Sequence, residues 1–342
     1  MVSMLPENLF ETLAVFLTCA GIIGFSGTRL AAVADQLADR AGLGEALMVG
    51  VLLGAVTSIS GSVLSVSAAW NGAPDLALSN AFGGMAAQMA FLAVADMVLR
   101  KVNLEHAAAS LENILQCALL VLVLSIVMMA SYSPDWTFWG VHPGTPIVIG
   151  VYLYGVHLIN RFKGRPMWRP VRTSDTVTDE PEEGSGRLNL SHLWARFAFH
   201  ALLLGLSGWV LEGTASRLIE ITAMEAVVVG ALMTSVATSL PELVTSIAAV
   251  RRGALTLAVS GIIGGNAYDA LFAAFSDIAY REGSIYHKLD DRLSFWITVN
   301  LAMGGLLAMG LLARERQGVA NIGFESVGIL VLYGLGVLIL FV

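Results

Sequence analysis

Residues 238–277 read TSLPELVTSIAAVRRGALTLAVSGIIGGNAYDALFAAFSD, and residues 57–96 read TSISGSVLSVSAAWNGAPDLALSNAFGGMAAQMAFLAVAD. A shift of 181 lays one on the other without a gap. Thr57-Ser58 meets Thr238-Ser239, Ser65 meets Ser246, and Gly72 meets Gly253. Gly83-Gly84 meets Gly264-Gly265, and Asp96 meets Asp277, among 16 identities in 40 positions. A bias toward small residues inflates such matches, but the Gly-Gly and Asp registers are hard to obtain from composition alone. The chain contains an internal repeat, and weak internal symmetry of this kind organises many membrane folds.

The surrounding chain sets the solvent. Of 342 residues, 56% are hydrophobic on the AVILMFWYC count, 35 more are Gly, and 13% are charged. Mean hydropathy is +0.74. An ordinary soluble domain is about 45–50% apolar, so this chain has more apolar surface than a water-soluble globule hides. Disorder is excluded for the same reason. Segments of about 20 apolar residues mark spans. Ten are expected, at 9–30, 44–69, 75–99, 108–130, 144–160, 197–216, 225–249, 255–279, 293–312 and 322–342. None alternates as a barrel strand would. The first run follows Met1–Glu7, which has no Lys or Arg, so it is expected to be a retained span rather than a cleaved signal.

The polar stretch 161–196 divides the spans five and five. With the N-terminus outside, 15 Lys and Arg fall on inside loops and 4 outside, seven of the inside ones in that central stretch. Five spans separate the matching elements, so the two copies enter the membrane from opposite sides. The expected fold is an all-α polytopic membrane protein, with ten transmembrane helices as two inverted five-helix repeats. The expected units are 1–162, with a degenerate repeat at 44–99, a cytoplasmic linker 163–192, and 193–342, with the second repeat at 225–279. The net charge of −7 and the lack of a basic block give nucleic-acid binding no support. Cys19 and Cys117 sit in apolar runs and offer neither a disulfide framework nor a thiolate metal site.

Span seven carries Thr238-Ser239-Leu240-Pro241-Glu242-Leu243. Pro241 cannot donate to the helix ladder and clashes four residues back, near Ala237. Freed carbonyls there, the Thr238 and Ser239 hydroxyls, and the Glu242 carboxylate make a hard oxygen set. Span eight adds Asn266 and Asp269. Oxygen ligation suits Na+ and Ca2+ rather than zinc or copper. An acidic residue at mid-bilayer costs about 2.5–3.5 kcal/mol on insertion scales. Two such residues on paired spans, with no Lys or Arg at matching depth, point to a bound cation or proton on Glu242 and Asp269. Asp96 and Asp277 lie near span ends and are expected to pair with Arg100 and Arg281. Glu45 and Glu225 start spans two and seven, where a carboxylate suits the helix dipole.

The string Thr238–Ser246, followed by Gly264-Gly265-Asn266, resembles the second α-repeat of the calcium/cation antiporter superfamily, especially the prokaryotic sodium/calcium exchangers. The family pattern is G-T-S-L-P-E, then G-N-x-x-G-S-N, and the TSLPE string is intact here. The likeness extends over essentially the whole chain. It implies a sodium/calcium exchanger-like fold and a secondary antiporter working by alternating access, with spans one and six moving across spans two, three, seven and eight. It implies that the transported ions are Ca2+ and Na+, with no cofactor, and that the partners are small cations and the lipid bilayer. It implies Glu242 as a ligand of both ions, Asp269 as the span-eight ligand, and oxygens from Thr238 and Ser239. In the first copy, Thr57 and Ser58 match the T-S, and Gln88 matches the amide position on span three. It also suggests a prokaryotic plasma (inner) membrane, with both termini outside.

This chain departs from that pattern at several places. Gly61 stands where the first repeat has its glutamate, and Ser60 replaces the proline. Both carboxylates therefore come from one repeat. Fewer charges would suit one Ca2+ with reduced Na+ stoichiometry, a monovalent cation, or H+ on Glu242. A monovalent cation/proton exchanger on the same fold and a degenerate non-transporting paralogue are the rival readings. An enzyme reading rests on Gly24-Phe25-Ser26-Gly27, which matches the G-x-S-G of rhomboid-like intramembrane proteases but has no histidine at a suitable depth.

Overall fold

The computed structural model of the chain describes residues 6, 8–41, 54–99, 102–163, 168–171, 173, 190–318 and 322–342. Among these, the elements are helices. They are α1 (Leu9–Ala41), α2 (Ile59–Trp70), α3 (Pro74–Val98), the short α4 (Leu104–Ala107), α5 (Leu111–Ser131), α6 (Gly144–Lys163) and α7 (Leu190–Thr222). The second half follows with α8 (Ala226–Thr238), α9 (Leu240–Arg252), α10 (Leu255–Asp269), α11 (Leu271–Ala279), α12 (Asp291–Ala313) and α13 (Phe324–Ile339). Six apolar stretches are long enough to cross a membrane, and α8–α9, bent by 44°, makes a seventh. The other expected segments lie on α6 and on the shorter apolar helices α2 and α13. The described parts of all ten fall on helices; residues 44–53 of the second, with Glu45, and most of the central linker lie outside the described residues.

Burial sorts these helices into centre and periphery. In α3, 78% of the apolar stretch is buried, and in the α10–α11 pair 83%, against 33% in α1 and 28% in α7. In lipid the bundle interior is where small and polar residues are sheltered, and α3 carries Ser79, Asn80, Gln88 and Asp96, all buried. Accordingly α3 packs against α2, α8, α9, α10, α12 and α13. In contrast, α1 and α7 lie along each other and share a separate apolar cluster that includes Ile23, Leu30, Leu204 and Leu211. In lipid, helices associate mainly through close packing at small residues. A Cβ on Gly83 would lie 2.5 Å from Ala231 Cα, and one on Gly54 would lie 2.7 Å from Gly265 Cα, so backbones meet here directly.

The repeat is visible in backbone detail. Ser58 has φ −83° and ψ 6°, and Ser239 has φ −94° and ψ 5°. Each interrupts its helix at the same place, 181 residues apart. The small, hydroxylated and Gly-rich residues in mid-span of both copies predict an interruption in each, with Pro241 adding to it in the second; the first copy breaks without a proline, with Ser60 at the equivalent place. The break therefore belongs to the packed geometry of both copies, and Pro241 only reinforces one of them. Gly72 (φ 75°) and Gly253 (φ 82°) follow α2 and α9 in the left-handed region that favours glycine, which accounts for their match in the repeat.

One expectation at the span ends is corrected: Asp277 does not pair with Arg281, while the Asp96–Arg100 pair falls outside the described residues. Asp96 and Asp277 are both fully buried. Asp96 accepts from Leu104 N (2.7 Å), Gly323 N (3.2 Å) and Ser326 Oγ (2.9 Å). Asp277 accepts from Ile285 N (3.1 Å), His142 N (2.8 Å) and Thr145 Oγ1 (2.6 Å). In each copy the carboxylate ties down the backbone eight residues on, because a buried charge needs several donors. Arg281 instead lies over the Trp70 ring, 5.2 Å from its centroid, and Arg100 lies outside the described residues. Glu225 occupies the N-cap position of its helix but makes no side-chain cap; its carboxylate pairs with Arg292.

Candidate cation site

The two helix breaks face each other across α3 and α10 and enclose a cavity of about 10 Å³. That volume holds about one water-sized sphere. The first copy contributes Ser58, Gly61, Asn80, Gly84 and Gln88 to the wall. The second contributes Thr238, Ser239, Glu242, Asp269 and Phe272. Three opposed pairs, Ser58/Ser239, Gly61/Glu242 and Gln88/Asp269, are equivalents under the 181-residue shift.

Gln88 Nε2 donates to Asp269 Oδ2 at 2.6 Å and to Ser239 Oγ at 3.3 Å. The Gln88 amide is thereby oriented with its carbonyl left over. Glu242 and Asp269 are each 3% exposed. Among the described residues, Glu242 Oε1 and Oε2, Asp269 Oδ1, Gln88 Oε1 and Ser58 Oγ make no well-formed hydrogen bond. The hydroxyls of Thr57 and Ser58 lie beside the Glu242 carboxyl, and Ser58 lies beside Asp269 as well. No lysine, arginine or histidine lines the wall. Buried oxygens with unused lone pairs around one small space are a coordination set for a hard cation or a proton. Among the described residues, no group of three or more His, Cys, Asp or Glu side chains is arranged to hold a metal ion. Any ion here would thus rely on neutral oxygens beside the two carboxylates.

The structure brings Glu242, Asp269, Thr238, Ser239, Gln88 and Ser58 together at this wall. Thr57 sits just behind it and donates to Gly54 O at 3.1 Å. Asn266 is placed differently. Its Nδ2 donates to Met85 O at 3.1 Å, so the side chain ties α10 to α3 and does not line the cavity.

Four wall residues were absent from the expected set: Gly61 and Gly84, which bring only backbone, and the side chains of Asn80 and Phe272. Asn80 donates to Gly61 O (3.3 Å) and Ser65 Oγ (3.0 Å) and accepts from Thr234 Oγ1 (2.9 Å). It therefore staples the first break to the second copy. Its place in the Ser79-Asn80 remnant of the G-N pattern was the available sign. Phe272 had no such sign. A Cβ on Gly61 would lie 2.9 Å from Phe272 Cε2, so this ring fills the space that a first-copy acidic side chain would take.

Comparisons agree with this architecture. A family profile described as "Sodium/calcium exchanger protein" matches residues 11–161 and 192–342. No curated protein matches the chain. Among solved structures, the H+/Ca2+ exchanger CAX is similar with a TM-score of 0.71 at 13% identity, covering 96% of this chain and 86% of that one. YfkE is similar with a TM-score of 0.65 at 12% identity, covering 98% and 93%. The sodium-calcium exchanger NCX_Mj gives 0.61 at 16% identity, covering 97% and 99%. At these identities the likeness concerns the fold.

Proposed function

The chain belongs to the sodium/calcium exchanger protein family, and from that premise we propose that it is a secondary cation antiporter carrying Ca2+ at the Glu242–Asp269 pair. One observation carries the reading: two buried carboxylates with unused oxygens face a space that holds one small ion. Two like charges so close cannot both stay ionised without a counter-charge. One Ca2+ neutralises both, and so do two protons. The geometry therefore favours electroneutral exchange of one Ca2+ against protons held by Glu242 and Asp269. Binding of several Na+ would need more room and more acidic ligands than this wall provides. Ser58, Thr57, Thr238, Ser239 and the Gln88 carbonyl would complete the oxygen shell, since Ca2+ takes six to eight oxygens.

Sodium as counter-ion is the second reading, favoured by the intact TSLPE string. The positive-charge bias supports a prokaryotic plasma membrane orientation with both termini outside and the linker 163–192 cytoplasmic, joining the units 1–162 and 193–342.

The test is Ca2+ uptake into proteoliposomes under an imposed proton or sodium gradient. Proton-driven uptake that is unaffected by membrane potential is expected. Uptake that requires sodium and follows the potential would replace the proton with sodium. No Ca2+ movement under either gradient would overturn both readings.

A further inference from the structure

The tetrad Gly24-Phe25-Ser26-Gly27 in α1 recurs in α7 as Gly205-Leu206-Ser207-Gly208, again 181 residues on. The repeat thus extends to the two outer helices, each 33 residues long. In both tetrads the serine and the second glycine are buried, and the residue between the first glycine and the serine is exposed.

Their contacts are repeat-related as well. A Cβ on Gly24 would lie 3.5 Å from Leu240 Cβ, and one on Gly205 would lie 4.0 Å from Ile59 Cγ2; Leu240 and Ile59 are equivalents. Both are ordinary contacts. The second glycines are different. A Cβ on Gly27 would overlap the Pro241 ring, and one on Gly208 would overlap the Ser60 carbonyl. Pro241 and Ser60 are also equivalents, two residues past the breaks at Ser239 and Ser58 and one residue before Glu242 and Gly61. Each outer helix therefore bears, through one glycine, on the broken helix of the opposite copy.

We propose that Gly27 and Gly208 are positioning residues that seat the outer helix pair on the two breaks and close the cavity toward opposite membrane faces. This rests on the exchanger reading of the site. With the N-terminus outside, α8–α9 runs inward, so Pro241 lies on the cytoplasmic side of its break. The helix of α2 runs outward, so Ser60 lies on the extracellular side of its break. Both seats are made at once in the structure. The outer pair shares a small apolar cluster of its own and is mostly exposed toward lipid, so it can shift on the centre as one body. One added methyl group at Gly27 levers α1 off Pro241. One at Gly208 levers α7 off Ser60.

The test uses the full chain in proteoliposomes of known orientation, with Cys19→Ala, Cys117→Ala and Ser239→Cys as a reporter on the cavity wall. A membrane-impermeant maleimide is added to one face at a time. Gly27→Ala should raise labelling from the cytoplasmic face about tenfold, the shift that modest over-packing brings to a two-state equilibrium. Gly208→Ala should do the same from the extracellular face only. Gly21→Ala, where a Cβ would meet nothing within 4 Å, should leave labelling unchanged. Unchanged labelling in both glycine variants, or a rise from the same face in both, would overturn the proposal.

Should Gly27→Ala fail to fold, Pro241→Gly removes the same seat without adding volume and must also open the cytoplasmic face; if it does not, the proposal fails. Labelling does not depend on which ion is carried. Transport is read in parallel on the chain with Ser239 intact: side-selective labelling beside a Ser239 chain that moves no cation would sink the exchanger reading alone, and exchange by that chain without side selectivity in the labelling would sink the seating alone.

Discussion

Gln88 Nε2 lies 2.6 Å from Asp269 Oδ2, and the two residues are 181 positions apart, the same shift that superimposes the two repeats. Equivalent residues of two inverted copies touch only where the axis between the copies passes. Asn266 reaching Met85 O across the same shift marks that axis a second time. The cavity therefore sits where the copies meet, as substrate sites do in transporters built from inverted repeats. The two sides of the axis have unequal chemistry. One side has an amide and Gly61, and the other has two carboxylates.

The first prediction concerns the amide. Gln88→Ala removes the 2.6 Å donor to Asp269 Oδ2 and leaves the Ser58 hydroxyl beside that carboxyl. Hydrogen bonds to charged groups contribute about 1.5–3 kcal/mol. Thermal unfolding at neutral pH should show a loss in that range. Ca2+ uptake should fall with it, because the carboxylate is no longer held in place.

The second concerns Phe272. Gly61→Glu alone should be poorly stable, because the new side chain meets the ring. Gly61→Glu combined with Phe272→Ala makes room and adds a third carboxylate. The double variant should bind Ca2+ at least about tenfold more tightly than the parent, a gain of about 1.4 kcal/mol. Calorimetric titration reads this, and equal affinity would show that Phe272 does not occupy a ligand position.

The third concerns Asp96 and Asp277. Each anchors the segment that follows its span through three donors. Asp96→Ala and Asp277→Ala should each cost more than about 2 kcal/mol, since several charge-assisted bonds are lost together. Arg281→Ala should cost less than about 1 kcal/mol, the range of an exposed cation–π contact. A large loss for Arg281→Ala and a small one for Asp277→Ala would restore the interfacial ion pair.

The fourth is a pH dependence. Glu105 lies in α4, between spans, and is 1% exposed. Burial first, then Asp96 and Glu325 nearby, pushes its carboxyl well above the ordinary carboxylate range. Below that range, folded and unfolded chains are both protonated, and the stability is fully present. As pH rises through it, the unfolded chain ionises first while the folded chain keeps its proton, so stability falls until the folded group ionises too. Melting temperature should decline as pH rises above the ordinary carboxylate range in the parent and decline less in Glu105→Gln.

Much of this architecture is legible in the sequence, for physical reasons. Ten apolar segments must be helices, because lipid offers no partners for open backbone. The registers Gly83-Gly84/Gly264-Gly265 and Asp96/Asp277 persist because backbones meet at the first and buried loop anchors sit at the second. Glu242 and Asp269 stood out as acids in apolar spans. Other features depend on what lies opposite a residue. Phe272 reads as one more apolar residue until Gly61 is placed beside it. Asn266 carries ligand chemistry, yet its amide is spent on Met85 O. Asp277 was paired with Arg281, its neighbour in sequence, whereas its donors come from Ile285, His142 and Thr145.

The most direct test of the central claim is calorimetric Ca2+ binding to the purified protein in buffers of different ionisation enthalpy, which counts the protons displaced. The account predicts one Ca2+ bound per chain with release of up to about two protons, because metal binding requires deprotonated ligands. It also predicts that Glu242→Gln and Asp269→Asn each abolish binding while the protein remains folded. Undiminished Ca2+ binding in both variants, or binding without proton release at any pH, would contradict it.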